Sequence, residues 1–248
     1  MSTVSLTMQD EIALLRLNNG TTNAISSTLV ADLSSALSQV RCDAKGMVLL
    51  GNEKFLSIGL NLPEVIHFDR GEMTDFLTRF EQQIYDLYTL PMPTACAMAG
   101  HAVAGGCVLA LTCDYRYAAE GKKLIGLNEA TIGLPVPYLP NLILRQLIGD
   151  RFATDMMYEG RFLSSSEATD IGLIDEVLPL AEVEKQAIAK IEAMTSLPSK
   201  SFNVQKENRA ESVCLCYAQH SHKKMELLLD CWFEESVQNI LKDAAQKF

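Results

Sequence analysis

The sequence predicts an α/β domain in which strand pairs alternate with helices and a helical region follows. Short apolar or alternating runs bounded by glycine alternate with longer apolar stripes of helical spacing along the first 180 residues. Beyond Ala181 only the helical spacing remains. With 248 residues, of which 48% are hydrophobic and 21% charged, the chain is long enough to bury a sizeable core.

The chain begins with a predicted β-hairpin followed by a helix. Apolar residues alternate through residues 4–17 on both sides of a turn at 9–10, which is typical of two paired strands. Ser26 or Ser27 is the predicted N-cap of the helix. The apolar stripe of that helix consists of Leu29, Leu33, Leu37 and Val40.

Further strands and helices alternate through the middle of the chain. The predicted strands are 47–50, 94–99, 114–119, 124–126 and 174–178. The predicted helices are 72–88, one that begins at Gly105, 138–148, 151–159 and 165–171. Residues 87–113 contain no Asp, Glu, Lys or Arg, but their prolines and glycines favour a buried strand, turn and helix over a membrane span.

Charge and cysteine content restrict the class of partner and the compartment. Lys and Arg number 21, and Asp and Glu 31, so the net charge is −10. A field of this sign repels phosphate, and we expect no nucleic-acid partner. Seven cysteines, an odd number, do not suggest a disulfide framework. Because residues 1–10 also lack a signal-peptide pattern, we expect a cytoplasmic protein.

Cysteine and histidine residues near the C-terminus do not have metal-ligand spacing. On a helix only Cys216 and His220 share a face, so we expect no metal site. The other members of the group are Cys214, His222 and Cys231. Cys107 stands at a helix start, but no His-plus-acid pair is apparent for it, and we expect no covalent catalysis.

Three glycine-containing segments are candidates for chemistry. Gly105 and Gly106 end a turn and open an apolar helix, where unpaired amides can bind an oxyanion. The same glycines can simply permit tight packing. In residues 55–62 a turn centred on Gly59 can present the amide of Leu60, although the segment also fits an ordinary loop.

The third segment, residues 125–135, contains a carboxylate in an apolar setting. Glu129 is flanked by apolar residues and glycines rather than by other charges. Desolvation in such a setting raises the pKa of a carboxyl group, which suits a general base. The alternative is a glutamate exposed on a turn.

In this order and at these separations, the three segments resemble the crotonase (enoyl-CoA hydratase/isomerase) superfamily. The resemblance runs from about residue 10 to 180 and includes a similar stretch at 160–177. It implies a spiral of ββα units with a C-terminal helical region, an acyl-CoA thioester substrate, and no cofactor besides the coenzyme A of that substrate. We expect an acyl-CoA-binding core at 1–191, and a helical region at 192–248 that covers the core and contributes to contacts in a homotrimer or dimer of trimers.

The resemblance also implies roles for particular residues. Two backbone amides, those of Leu60 and Gly105, correspond to the oxyanion hole that holds the thioester carbonyl. Hydratases of the family carry two glutamates, and Val108 replaces the first here while Glu129 matches the second. The expected substrate-binding residues are Ser57, Ile58, Gly59, Asn61 and Asn128.

Within the superfamily the chain is most similar to the Δ3,Δ2-enoyl-CoA isomerases of the mitochondrial type. Residues 57–62 resemble their Ser-Ala-Gly-Leu-Asp-Leu form, with Asn61 in place of Asp, and 104–116 and 125–129 match the same subgroup. We therefore expect an isomerase of fatty acid metabolism that converts 3-enoyl-CoA to 2-trans-enoyl-CoA with Glu129 as the single base. The alternatives are a hydratase or another enolate-forming member, and a non-catalytic acyl-CoA-binding subunit.

Overall fold

The larger of two sheets contains six strands and is mostly parallel. A computed structural model describes residues 2–247. In spatial order the strands are β1 (Val4–Gln9), β2 (Ile12–Leu17), β3 (Gly46–Leu50), β5 (Thr94–Met98), β7 (Tyr115–Ala119) and β9 (Glu176–Leu178). The predicted hairpin of β1 and β2 is antiparallel, and every other pair is parallel.

A smaller parallel sheet lies beside it and was only partly predicted. Its strands are β4 (Phe55–Ser57), β6 (His101–Val103) and β8 (Ile125–Gly126). Each of them follows a strand of the larger sheet and precedes helical structure, so the chain repeats a ββα unit three times. The expected spiral of ββα units is therefore confirmed.

Helices fill the remaining positions of the spiral and form the end of the chain. They are α1 (Ser27–Asp43), α2 (Leu62–Val65), α3 (Arg70–Tyr88), α4 (Gly105–Leu111), α5 (Tyr138–Glu159), α6 (Ser165–Asp170), α7 (Leu180–Thr195), α8 (Ser199–Trp232) and α9 (Glu235–Ala245). The predicted cap of α1 is confirmed, because Ser26 Oγ accepts a hydrogen bond from the Leu29 amide.

Two predicted boundaries differ from the structure. The helices expected at 138–148 and 151–159 form one element, α5, in which Gly149 adopts a non-helical conformation with φ of +80°. The region beyond Ala181, which was predicted to be helical, consists of helices separated at 196–198 and 233–234. Glycine accepts a positive φ without steric cost, which explains why α5 can continue past the break.

Both faces of the larger sheet are covered. The α7 stripe of Val183, Ala187 and Ile191 packs on one face, and the other helices enclose the main core on the opposite side. Covering on both faces is expected for a sheet that is mostly parallel. Residue 191, the expected end of the core, lies inside α7, while Met1 and Phe248 lie outside the described residues. No helix within residues 2–247 has the length and apolar character to cross a membrane.

Helix α8 is fixed to the core by a buried charge. Lys206 Nζ lies 2.8 Å from Asp114 Oδ2 and donates a hydrogen bond of 2.9 Å to the Met92 carbonyl. Arg209 approaches the other oxygen of Asp114 at 3.0 Å. A buried ammonium group needs such partners to offset the loss of hydration. The interaction fixes α8 to the loops that precede β5 and β7. Helix α8 also packs against α3, and both helices border the site described next.

Candidate active site

A cavity of about 820 Å³ lies between the ββα units and the C-terminal helices α8 and α9. Its walls come from the smaller sheet, α3, the turn between β6 and α4, the segment around Glu129, α8 and α9. The apolar lining includes Leu60, Leu62, Leu77, Phe80, Ile84, Val108, Leu228 and Trp232. The charged groups among the described lining residues are Glu81, Glu129, Asp243 and Lys247. A mostly apolar cavity with few polar groups is typical of a small-molecule site.

Two backbone segments meet at one wall of this cavity. A Cβ atom added to Gly59, whose φ is +99°, would lie 3.3 Å from the Gly105 nitrogen. The Gly59 loop is held in place by Ile25, which donates to the Gly59 carbonyl and accepts from the Asn61 amide. The amides of Leu60 and Gly105 are therefore carried by two chain segments in close contact.

Neither of these two amide N–H groups donates a hydrogen bond within a helix or a sheet. Within residues 2–247 the Leu60 N–H donates no hydrogen bond to another protein group. Gly105 is the first residue of α4, so its N–H has no partner within the helix. Both residues border the cavity. The two donors are thus available to an oxygen atom bound there.

The glycines at the start of α4 also serve packing. A Cβ at Gly106 would lie 2.2 Å from the Ser57 carbonyl oxygen, and one at Gly105 would lie 2.6 Å from Ile25 Cδ1. The sharp turn into the helix is made by Ala104, with φ of +46°, rather than by either glycine. The packing and oxyanion interpretations of this segment are therefore compatible with each other.

Glu129 is a buried carboxylate on the wall of the cavity. It begins a 3-10 turn, Glu129–Ile132, and its side chain is 8% exposed. The turn is fixed by hydrogen bonds from the Leu134 amide to the Glu129 carbonyl and from Thr131 Oγ1 to the Asn128 carbonyl. The alternative of an exposed glutamate does not apply.

The environment of Glu129 changes its proton affinity. Its Oε2 atom is buried without a hydrogen-bond partner in the described part of the chain. Burial raises the pKa of Glu129 from 4.5 to about 7. A carboxyl group with this pKa accepts and returns protons near neutral pH, as a general base must.

The residues of β6 and α4 beside the Gly105 turn do not provide a second reactive side chain. Val108, at the position where hydratases carry a glutamate, borders the cavity and is buried. Burial raises the pKa of Cys107 to about 12, so its thiol stays protonated near neutral pH. His101 Nδ1 accepts a hydrogen bond of 2.8 Å from the Leu124 amide, and burial lowers its pKa.

The expected substrate-binding residues divide into two groups. Ile58 and Asn128 border the cavity. Ser57, Gly59 and Asn61 do not border it but shape the loop that carries Leu60. Ser57 Oγ accepts a hydrogen bond from the Gly59 amide at 3.1 Å, and the Asn61 side chain donates to Glu64.

Sequence reasoning missed a second carboxylate in the cavity. Glu81 on α3 is 7% exposed and accepts a hydrogen bond of 2.8 Å from the Tyr217 hydroxyl of α8. The sequence indicates only that Glu81 follows Phe80, a residue of the apolar stripe of α3. In the part of the chain that the structure describes, no group of three or more His, Cys, Asp or Glu residues is arranged to hold a metal ion.

The sequence of this chain is similar to those of one family of known proteins. A family model described as "Enoyl-CoA hydratase/isomerase" matches residues 7–243. The "Probable enoyl-CoA hydratase" of Bacillus subtilis (strain 168) is 31% identical over 199 residues, which cover 79% of this chain and 76% of that protein. "Enoyl-CoA delta isomerase 1, mitochondrial" of Mus musculus is 29% identical over 199 residues, which cover 79% of this chain and 69% of that protein.

Solved structures of similar fold include an isomerase. The crystal structure of human mitochondrial delta3-delta2-enoyl-CoA isomerase has a TM-score of 0.93 to this chain at 23% identity. The superposition covers 99% of this chain and 97% of the human one. At this level of identity the likeness concerns the fold alone. Names of hydratases and of isomerases both occur among the similar proteins.

Proposed function

The chain belongs to the enoyl-CoA hydratase/isomerase family, and from this premise we propose that it is a Δ3,Δ2-enoyl-CoA isomerase. Family membership confirms the resemblance to the crotonase superfamily that the three sequence segments indicated. Family membership shows the class of enzyme, and the proposal adds the specific reaction, the conversion of a 3-enoyl-CoA to the 2-trans-enoyl-CoA.

The reaction requires one base and a site for negative charge. The Glu129 carboxylate takes a proton from C2 of the 3-enoyl thioester. The electron pair of the C2–H bond forms a double bond between C1 and C2, and the carbonyl π pair moves onto the thioester oxygen. The C3–C4 double bond stays in place and is conjugated with the new one. The resulting dienolate collapses to the 2,3 double bond while the Glu129 carboxyl returns the proton to C4. No atom is gained or lost, and the base ends in its starting state.

Two amides are proposed to stabilise the intermediate. The Leu60 and Gly105 N–H groups border the cavity without other partners and would donate to the thioester oxygen, where the charge of the dienolate accumulates. Donors that are fixed before the reaction begins lower its barrier, because they need no reorganisation as the charge develops.

The observation that supports an isomerase is the isolated position of Glu129. It is a buried carboxylate without a hydrogen-bond partner on Oε2, and the residue at the first hydratase position is Val108. Water addition needs groups that activate water and deliver a proton to the other carbon. Movement of one proton between C2 and C4 needs a single base.

Hydratase activity is a second candidate, because Glu81 borders the same cavity. In that case Glu81 would supply the carboxylate that Val108 does not. Paired assays separate the two reactions: conversion of 3-hexenoyl-CoA to the 2-enoyl product, and addition of water to crotonyl-CoA. Isomerisation well above hydration supports the proposal, and the reverse order contradicts it.

The decisive variant is Glu129→Gln, with Glu192→Gln as the matched control, because Glu192 is exposed on α7 and does not border the cavity. Loss of a general base costs about 10²–10⁴-fold in rate, so we expect Glu129→Gln to lose isomerisation by at least about a hundredfold while still binding acyl-CoA. We expect Glu192→Gln to retain most of the rate on 3-hexenoyl-CoA. Near-wild-type turnover by Glu129→Gln would refute the mechanism. Binding of acyl-CoA without turnover by the wild type would instead indicate a non-catalytic subunit.

A further inference from the structure

We propose that Glu81, held by Tyr217, forms a polar subsite in the cavity that binds a hydroxyl group on the acyl chain of the substrate. The inference rests on the proposed function, because it takes the acyl chain of a CoA thioester as the occupant of the cavity. It adds a substrate class, acyl chains that carry a hydroxyl group away from the thioester.

Glu81 lies on an apolar wall close to the proposed reaction centre. Leu77, Phe80 and Ile84 of the same helix border the cavity around it. Phe80 Cζ is 3.7 Å from the position of a Cβ on Gly105. Glu81 thus borders the same cavity as Phe80 and the Gly105 turn, and this cavity is the proposed site of the acyl chain.

The carboxyl group has unused hydrogen-bonding capacity. Tyr217 OH donates to Oε2 at 2.8 Å, and this is the one hydrogen bond that the Glu81 side chain makes to side chains or backbone of residues 2–247. A carboxyl group offers more positions than this, because it can accept several hydrogen bonds and, when protonated, donate one. The unused positions belong to a residue that borders the cavity.

A hydroxyl group matches the carboxyl in either protonation state. Burial raises the pKa of Glu81, while the hydrogen bond from Tyr217 opposes the shift. The neutral carboxyl donates to a hydroxyl oxygen, and the ionised carboxylate accepts from a hydroxyl hydrogen. A keto oxygen, which accepts only, would be bound by the neutral form alone.

An unsubstituted alkyl chain is a poorer occupant of this wall. It would displace water from the Glu81 carboxyl and leave only Tyr217 as a partner. A buried polar group that loses its partner carries a desolvation penalty, whereas a hydroxyl on the chain replaces the displaced water. We therefore expect a correctly placed hydroxyl to strengthen binding about tenfold over the plain chain.

The Tyr217 hydroxyl group orients the carboxyl group of Glu81. The Tyr217 ring stacks on Tyr85 of α3 with a centroid distance of 6.1 Å, which fixes the direction of the phenol. Because Tyr217 occupies Oε2, it also limits the orientations of Glu81. A contact that served only to join α3 to α8 would affect stability when removed, but not the relative affinity for two ligands.

The experiment measures binding of saturated ligands, which cannot be isomerised. Isothermal titration calorimetry gives the Kd of decanoyl-CoA and of the 6-, 8- and 10-hydroxydecanoyl-CoA thioesters for the wild type, Glu81→Leu, Glu81→Gln and Tyr217→Phe. The ratio of two Kd values in one preparation does not depend on the fraction of folded protein.

In the wild type we expect at least one hydroxylated ligand to bind about tenfold more tightly than decanoyl-CoA. Glu81→Leu should reverse the order, tightening decanoyl-CoA and weakening that ligand. Glu81→Gln, which keeps hydrogen-bonding atoms, should retain part of the preference, and Tyr217→Phe should reduce it. The inference is overturned if no hydroxylated ligand is preferred, or if the preference survives in Glu81→Leu.

Failure of this inference differs from failure of the proposed function. If decanoyl-CoA binds and no hydroxyl position improves binding, the subsite is wrong and the isomerase proposal is unaffected. If none of the thioesters binds, the acyl-CoA site itself is wrong. A titration with 8-oxodecanoyl-CoA completes the series: if this keto chain binds more tightly than every hydroxylated one, the subsite prefers an acceptor and the hydroxyl class is rejected.

Discussion

Replacement of Glu129 by Gln should stabilise the folded protein at neutral pH. The unfolded chain ionises Glu129 at its ordinary pKa of 4.5, whereas burial raises the folded value to about 7. Between these values the folded state binds more protons than the unfolded state, so stability falls as pH rises. The contribution is fully present below pH 4.5 and lost above about pH 7.

The magnitude follows from the two pKa values. Each tenfold change in proton affinity corresponds to about 1.4 kcal/mol, so the rise from 4.5 to about 7 corresponds to about 3 kcal/mol. The amide introduced by Glu129→Gln has no titratable proton and avoids this cost. The difference in free energy of unfolding between Glu129→Gln and wild type should therefore grow by about 3 kcal/mol from pH 4.5 to pH 8.

Urea denaturation of both proteins at one protein concentration and several pH values tests this expectation. Any constant effect of the amide on packing is present at every pH and cancels in the pH dependence. Glu192→Gln is a suitable control, because that side chain is exposed on α7. A difference between Glu129→Gln and wild type that does not change with pH would show that Glu129 is not desolvated in the folded protein.

Two further predictions concern activity and packing at the same site. Because the base must be ionised, kcat/KM for isomerisation should fall tenfold per pH unit below about pH 7 and level off above it; a profile that is flat from pH 5 to 8 would contradict the raised pKa of Glu129. Gly106→Ala should destabilise the protein by about 2 kcal/mol in urea denaturation and impair isomerisation, because the added Cβ meets the Ser57 carbonyl oxygen at 2.2 Å. In Gly71→Ala the added Cβ lies 3.3 Å from its nearest neighbour, a side-chain oxygen, so the free energy of unfolding should stay within about 0.5 kcal/mol of wild type. Equal effects of the two substitutions would refute the packing argument.

Periodicity in the sequence was sufficient for the larger elements of the fold. The hairpin, the five-residue strands β3 and β5, and the long helices each contain several repeats of their apolar pattern. The strands β4 and β6 have three residues each, which is too short for a period to be recognised. The smaller sheet was therefore incompletely predicted, although it carries the turns on which the candidate site is built.

The site could be predicted where its residues follow one another in the chain. Glu129 stands out locally, because apolar residues and glycines flank it, and the glycine turns before Leu60 and at Gly105 are also visible in the sequence. The oxyanion-hole role of their two amides came from the family resemblance. Glu81 could not be found in this way, because its role depends on Tyr217, 136 residues further along the chain. The charge is visible in the sequence, but its burial against α8 is a tertiary property.

The apolar surroundings of Glu129 favour isomerisation for a further reason. Position 108, where hydratases of the family carry a glutamate, is occupied by a buried valine that borders the cavity. Apolar surroundings raise the pKa of Glu129 by desolvation and so increase its strength as a base toward C2. They also leave the site without a second group at that wall to activate water. In the proposed mechanism burial thus strengthens Glu129 as a base, and Val108 leaves hydration without its first carboxylate. The free energy that the folded state gives up to bury Glu129 is the cost of that base strength.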